Sequence, residues 1–330
     1  MSKTERSLLS RFLSSQFKTL PYPVQSFRGL VVIVTGANTG LGLEASRHFV
    51  RLGAAKVILA VRDVEKGKAA QDSISLSTET KNRTEVWSLD LASYESVKEF
   101  AQRAAGLDRL DVLVANGGLC TETFELAEGM EKSFLVNVVS TFLLVFLLLP
   151  QLRKTATEFQ TRPHVVIVSS EGHETATFDE GKSESILAAL NDQSTSNMGD
   201  RYDTTKLLQL YSMRALSERL DQSGKPPVTV NALTPGLCRT SLLRESSPMA
   251  QIIAGAIKFV VARSAEMGSR TLVHAAEAPS DSHGKYLRDC EITPPAIFVD
   301  SAEGKETQER FFVELIGRLE KISPGLAANI

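Results

Sequence analysis

Leu30–Gly42 reads L-V-V-I-V-T-G-A-N-T-G-L-G, a β-branched apolar run that ends at a threonine and turns through three glycines. Leu30–Thr35 has the length and composition of a buried strand, and helical spacing of apolar residues begins right after it, over 41–52. In a strand–turn–helix unit, glycines permit the tight turn and let the backbone approach a pyrophosphate. The helix N-terminus then attracts the anion. The spacing here is G-x-x-x-G-x-G rather than G-x-G-x-x-G, so its place after the first strand carries the nucleotide reading.

The rest of the chain continues the alternation. Further strands are expected at Lys56–Val61, Thr84–Leu89, Leu110–Ala115, Pro163–Ser169 and Val228–Leu233, with a short one near Lys285–Arg288. Helical periodicity fills 64–75, 93–105, 128–154, 203–221, 247–277 and 303–320. Strands that alternate with helices and are apolar on both faces predict a single Rossmann-type, doubly wound α/β domain. Its sheet would be parallel, of about seven strands, with helices on both faces. That domain should occupy 29–330. Residues 1–28 form an amphipathic extension in which Leu8, Leu9, Phe12, Leu13 and Phe17 recur at helical spacing before Pro21 and Pro23. Docking on the protein's own body is the expected role of this extension.

Composition excludes several classes. The chain has 330 residues, 42% hydrophobic and 23% charged, with a net charge of −2, which leaves no basic footprint for nucleic acid. The apolar run Val138–Leu149 is too short to span a bilayer and is expected to be a buried helix or a homodimer or homotetramer interface. Cys120, Cys238 and Cys290 show no pairing or metal-ligand spacing and read as reduced thiols of a cytoplasmic protein. The five histidines show no ligand spacing either, so no metal is expected.

Two residue patterns carry chemistry. The second strand ends Ala60-Val61-Arg62-Asp63, and an arginine at that position accommodates a 2′-phosphate where an acid would bind a ribose hydroxyl. Arg62 therefore points to NADP(H) rather than NAD(H), with Asp63 as the competing acid. Tyr202 and Lys206 lie one helical turn apart, and an ammonium beside a phenol lowers its pKa from about 10, which suits a general acid. Tyr94–Lys98 has the same spacing but no strand-end serine before it, and reads as a solvated helix face.

Thr35–Gly42, Asp90-Leu91, Asn116-Gly117-Gly118, Asn137, Ser169-Ser170, Tyr202-x-x-x-Lys206 and Asn231…Pro235-Gly236…Thr240 occur in the order seen in short-chain dehydrogenases/reductases, which the chain resembles over roughly 29–290. The tail Gly284–Pro295 resembles the retinol-dehydrogenase-like branch, and especially fungal reductases of secondary metabolism. The resemblance implies that Gly36, Asn38, Thr39, Gly40, Leu41 and Gly42 cradle the cofactor's pyrophosphate. It places Asp90 and Leu91 at the adenine, Asn116 and Gly117 by the adenosine ribose, and Pro235, Gly236 and Thr240 in the cofactor site. Ser170 would hydrogen-bond the substrate carbonyl and Tyr202 would transfer the proton. Lys206 would hold the nicotinamide ribose, and Asn137 would position a relay water.

The implied function is NADPH-dependent interconversion of a carbonyl and an alcohol on an apolar ketone, aldehyde or alcohol, such as a polyketide- or terpenoid-like intermediate. Glu171, His173 and Leu237 are the candidate substrate contacts. From Ser170 to Tyr202 the chain runs 32 residues, and this insert, 171–201, is expected to border the substrate mouth opposite 240–262. Two other readings stay open: a redox-neutral step on the same scaffold, and a nucleotide-sensing protein without catalysis.

Overall fold

The computed structural model describes residues 3–240 and 261–330. Most of the segment 240–262, with Ile252, Ile253, Ile257, Phe259 and Val260, lies outside them, as does the first half of the helix expected over 247–277.

Helix α1 (Lys3–Gln16) precedes the first strand. Then come β1 (Val31–Thr35), α2 (Gly40–Arg51), β2 (Lys56–Val61), α3 (Val64–Thr78), β3 (Thr84–Ser88), α4 (Tyr94–Ala105) and β4 (Val112–Ala115). A small hairpin, β5 (Leu126–Ala127) and β6 (Met130–Glu131), pairs only with itself. It leads into α5 (Lys132–Phe134), a π-helical turn at Leu135–Val139, and α6 (Ser140–Glu158). The second half contains β7 (His164–Val168), α7 (Ile186–Leu190), α8 (Arg201–Gln222), β8 (Thr229–Thr234), α9 (Ala265–Glu277), β9 (Tyr286–Arg288), β10 (Glu291–Ile292) and α10 (Ala302–Ile322).

The sheet order is β10-β9-β8-β7-β4-β1-β2-β3, parallel except for β10. Alternate residues of each strand feed two separate cores, as a sheet covered on both faces requires. Ile33, Ile58 and Leu113 pack with Phe100, Phe142 and Tyr211, whereas Val32, Val34 and Leu59 pack with Phe49 and Val273. The chain leaves β1 for β2 and β3 on one side, then returns to place β4 on the other. The crevice at that reversal, beyond the carboxyl ends of β1 and β4, is where such sheets bind ligands.

The sheet has eight strands, one more than the count from periodicity. The extra strand is β10, which folds back on β9 through Asp289-Cys290, both at positive φ (54° and 63°). Two positive φ values make the tight hairpin turn usually written Asn-Gly or Asp-Gly. Without a glycine, that turn has no sequence signature.

The apolar run Val138–Leu149 belongs to the core. The helical stretch Lys132–Glu158 is long and apolar enough to cross a membrane by length and composition, yet 89% of its most apolar window is buried inside the fold. This run therefore carries no case for a dimer or tetramer interface.

Candidate active site

The turn after β1 fits a dinucleotide. Gly36 and Gly40 hold φ of +66° and +59°, the left-handed region that favours glycine. A Cβ on Gly42 would meet the Gly36 carbonyl oxygen at 2.5 Å and the Asn116 amide at 2.7 Å, so α2 can approach the sheet only with glycine there. The helices α3 and α4 are capped by the side chains of Asp63 and Ser93, but the N-cap of α2, Thr39, makes no such bond. The start of α2 thus has no side-chain cap at its N-cap position and lies at the end of a cleft of about 710 Å³, where a helix N-terminus favours an anion. Across the crevice, the Asn116 amide donates to the Thr35 carbonyl (2.9 Å), and the Gly117 N–H donates to the Thr35 hydroxyl (2.7 Å). This stitches β4 to β1.

Gly36, Asn38, Thr39, Gly40, Leu41, Asn116, Gly117, Pro235, Gly236 and Thr240 all line that one cleft. Gly42 packs behind it. Asp90, Leu91 and Arg62 lie off it. Asp90 accepts the Ala92 N–H (2.9 Å), and Leu91 packs on Gly117. Arg62 is exposed at the end of β2, while Asp63 is engaged: its carboxylate caps α3 and pairs with Lys66 at 3.0 Å.

The other end of the cleft is built by β7 and α8. Ser169 is buried and donates to the Lys206 carbonyl (3.0 Å), which fixes the end of β7 to α8. Ser170 turns to the cleft, as strand alternation requires. Its hydroxyl accepts the Gly172 N–H at 3.1 Å. Tyr202 and Lys206 line the same cleft from one face of α8, and Lys206 Nζ is 5.5 Å from the Tyr202 ring centre.

Burial dominates both ionisations. It holds the Tyr202 phenol well above its usual range, with the nearby Cys120 acting the same way and the Ser170 hydroxyl opposing. It pushes Lys206 down to about 8. The depression of the phenol by Lys206, expected from spacing alone, is therefore not what this geometry gives. Lys206 instead donates to the Val168 carbonyl (2.8 Å) and to Gln209 Oε1 (3.0 Å).

Asn137 sits in the π-helical turn, fully buried behind the cleft. Such turns recur at functional sites. Its side chain brackets Leu119, accepting the N–H and donating to the carbonyl, each at 2.8 Å, and it also donates to Thr205 (2.9 Å). Its main-chain carbonyl accepts from Gln209 Nε2 at 2.7 Å. Gln209 thus links Asn137 to Lys206 directly. The sequence offered one signal for Gln209, namely its place one turn after Lys206.

Glu171 and Leu237 line the cleft, but His173 does not. His173 is fully buried. Its Nδ1 bonds the Ser170 carbonyl (2.7 Å), and its Nε2 accepts the Ala296 N–H (3.3 Å). Burial lowers its pKa, so the neutral ring supports the Ser170 turn from behind. Asp203 was missed by sequence reasoning. It faces the cleft beside Tyr202, and burial raises its carboxyl to about 6 against the opposing Thr175 bond (2.9 Å).

Of the insert, only Glu171, Gly172, Glu174 and Thr175 reach the cleft. The stretch 181–187 is fastened to α10. Arg310 donates to the Gly181 and Ser183 carbonyls, and Glu314 accepts from the N–H groups of Ile186 and Leu187. Tyr94–Lys98 lies on α4, away from the cleft; Lys98 pairs with Glu95 at 2.6 Å, but Tyr94 packs in the core rather than on a solvated face. No cluster of three or more metal-ligating side chains occurs among the described residues.

A doubly wound sheet with a glycine turn at its switch point and a Ser–Tyr–Lys cleft at the same edge defines the class. The chain belongs to the short-chain dehydrogenase/reductase family. The short chain dehydrogenase family model matches residues 30–179. The chain is 56% identical to the short chain dehydrogenase atnD of Emericella nidulans over 88% of this chain and 93% of that one. It is 46% identical to the short chain dehydrogenase/reductase dmxR8 of Cryptosporiopsis sp., over 96% and 99%. Among solved structures, an uncharacterised protein from Mycobacterium paratuberculosis superposes with a TM-score of 0.65 at 27% identity, covering 90% of this chain and 96% of that one. The 3-ketoacyl-(acyl-carrier-protein) reductase of Brucella melitensis, crystallised with NADH, shares the fold at a TM-score of 0.59 and 20% identity, covering 79% and 97%.

Proposed function

We propose that this chain is an NADP(H)-dependent carbonyl reductase or alcohol dehydrogenase. The observation that carries this reading is the convergence of Ser170, Tyr202 and Lys206 on one cleft whose far end is the glycine turn. NADP(H) bound along that cleft supplies or accepts the hydride. Ser170 donates a hydrogen bond to the substrate carbonyl oxygen, and the Tyr202 hydroxyl delivers the proton to that oxygen as it becomes an alkoxide. A phenol held high by burial stays protonated at neutral pH, the form that reduction needs. Lys206 places a positive charge beside the reacting atoms, and Gln209 holds it against Asn137. The substrate we infer is a mainly apolar ketone or aldehyde of secondary metabolism. We read the protein as cytoplasmic, from cysteines at positions 120, 238 and 290 that show no pairing or metal-ligand spacing in the sequence.

NADPH oxidation against a panel of ketones tests the redox reading. Turnover of substrate with no loss of NADPH absorbance would replace it with the redox-neutral one. Cofactor choice rests on Arg62, since Asp63 is spent on α3. A charge-assisted hydrogen bond to a 2′-phosphate contributes about 1.5–3 kcal/mol. Arg62→Ala should accordingly lower kcat/KM with NADPH roughly 10- to 100-fold and leave NADH nearly unchanged. Equal losses with both cofactors would refute the role of Arg62.

Gln209 is a positioning residue in this scheme. Gln209→Leu removes the side-chain donor from the buried Asn137 carbonyl and leaves Lys206 only its bond to the Val168 carbonyl. We expect kcat to fall about tenfold with little change in KM for NADPH, and the Lys206-dependent limb of the pH profile to shift. Gln209→Ala, which leaves room for a water, should recover part of the loss. A profile identical to wild type in both variants would show that the contact is only structural.

A further inference from the structure

The cleft has a wall that the dinucleotide fold does not supply. Arg11 and Phe12, from α1, line the same cavity as Ser170 and Tyr202. Helix α1 is fastened there at its C-terminal end. Gln16 accepts the Leu237 N–H (2.9 Å) and donates to the Leu237 carbonyl (3.0 Å) and the Val261 carbonyl (3.2 Å). The Ser15 hydroxyl donates to Asp289 (2.9 Å), and Arg263 ties the Ser15 carbonyl to that same carboxylate. Both Ser15 and Gln16 are buried.

Arg11 meets the far side of the cleft. Its guanidinium pairs with Glu174, which also pairs with Arg288, and all three line the cavity. Glu174 and Arg288 are nearly enclosed, with side chains 8% and 7% exposed, and Arg288 also pairs with Glu171 at 3.3 Å, so its charge is committed within the wall. The Arg11 side chain is 49% exposed, and Glu174 is its one carboxylate partner among the described residues. A guanidinium has five N–H donors in a fixed fork, so Arg11 keeps donors to spare at the cavity edge.

We propose that α1 is the outer wall of the substrate pocket, and that Arg11 and Phe12 select the substrate by the end remote from its reacting carbonyl. This rests on the carbonyl-reductase reading above. The substrate class is a ketone or aldehyde with an apolar body and a hydroxyl or phenol oxygen at its far end. Phe12 packs against the body, and Arg11 donates to that oxygen. The catalytic groups lie in the dinucleotide fold, but the pocket is complete only when the N-terminal extension is seated on it.

Two measurements test this. The first uses NADPH oxidation with pairs of ketones that differ only by a distal hydroxyl. Wild type should favour the hydroxylated member about tenfold in kcat/KM, the scale of one good hydrogen bond. Arg11→Gln should erase the preference, chiefly through KM for that member, and Phe12→Ala should raise KM for both. The second measurement needs no turnover: the rate at which fluorescein-5-maleimide labels Cys120, followed by peptide mapping. Cys120 lines the cavity, Cys238 is buried, and burial pushes Cys290 up to about 12, which keeps it slow. Deleting residues 1–18 should accelerate Cys120 labelling severalfold. Phe12→Ala, which does not depend on the truncated chain folding, should do so to a smaller degree.

Unchanged labelling in Phe12→Ala together with an unchanged preference in Arg11→Gln would overturn the proposal. If wild type oxidises NADPH with no ketone, the reductase reading fails by itself. The labelling rates then still decide the wall: faster labelling upholds it, and unchanged labelling overturns it.

Discussion

Tyr202→Phe is expected to lower kcat/KM for carbonyl reduction by about 10²- to 10⁴-fold, the usual weight of a positioned general acid. NADPH affinity, measured by fluorescence titration, should change little, because the phenylalanine ring keeps the shape of the cleft and loses only the hydroxyl. The pH dependence separates this role from a structural one. In the proposed mechanism, reduction requires the neutral phenol and the Lys206 ammonium. Burial holds the phenol protonated through neutral pH, while the Lys206 ammonium, pushed down to about 8, is the first of the two to lose its proton as pH rises. Wild-type kcat/KM for reduction should therefore be flat through neutrality and fall as pH passes about 8. The reverse oxidation needs the phenolate to take a proton, so it should rise with pH over the same range. A Tyr202→Phe enzyme with wild-type rates would exclude the phenol as proton donor. A reduction rate that climbs above pH 8 would exclude the charged Lys206.

The largest effect on stability is expected at the neighbouring residue. Arg201 is fully buried at the start of α8, with its guanidinium 3.6 Å from Glu131 and 3.2 Å from Glu180 and one hydrogen bond to Ser196 (2.9 Å). Glu131 is also completely buried, and its carboxylate accepts the N–H groups of Ser133 and Phe134. One charge therefore joins the insert, the β6 strand and α8. Removing one member of a buried pair leaves the other uncompensated and costs about 3–5 kcal/mol. Arg201→Met should lower Tm by roughly 6 °C or more, read by thermal melting. Adding Glu131→Gln should restore part of the loss, since the stranded charge is removed. A melting point within about 2 °C of wild type would mean that solvent reaches the pair and that the insert is held by Arg310 and Glu314 instead.

Much of this site was legible in the chain because its signals are local. A left-handed backbone turn favours glycine, so Gly36 and Gly40 announce themselves. A strand buried on both faces is apolar throughout, so β1, β2 and β4 appear as runs. Tyr202 and Lys206 share a helix face by spacing alone. The readings that changed depended on what packs from elsewhere. Spacing suggested a lysine that lowers a phenol's pKa, but burial is the largest influence on both groups, raising the phenol and lowering the lysine. His173 is close to Ser170 in sequence, yet the chain passes behind the turn and buries the ring against Tyr286. The insert was expected to border the substrate; its first residues do line the cleft, while the stretch 181–187 is held by an arginine and a glutamate of α10 that no local pattern points to.

The sequence by itself determined the alternating α/β order, the glycine turn at the first crossover, and the serine, tyrosine and lysine that meet beyond β7. These follow from periodicity, backbone sterics and spacing, which act over a few residues. Only the tertiary structure decided which distant groups complete the site. Gln209 joins Asn137 across 72 positions of chain, and Gln16 reaches Leu237 across 221. Such contacts exist because folding buries polar atoms that must then find partners, and no local pattern specifies which partner lies opposite.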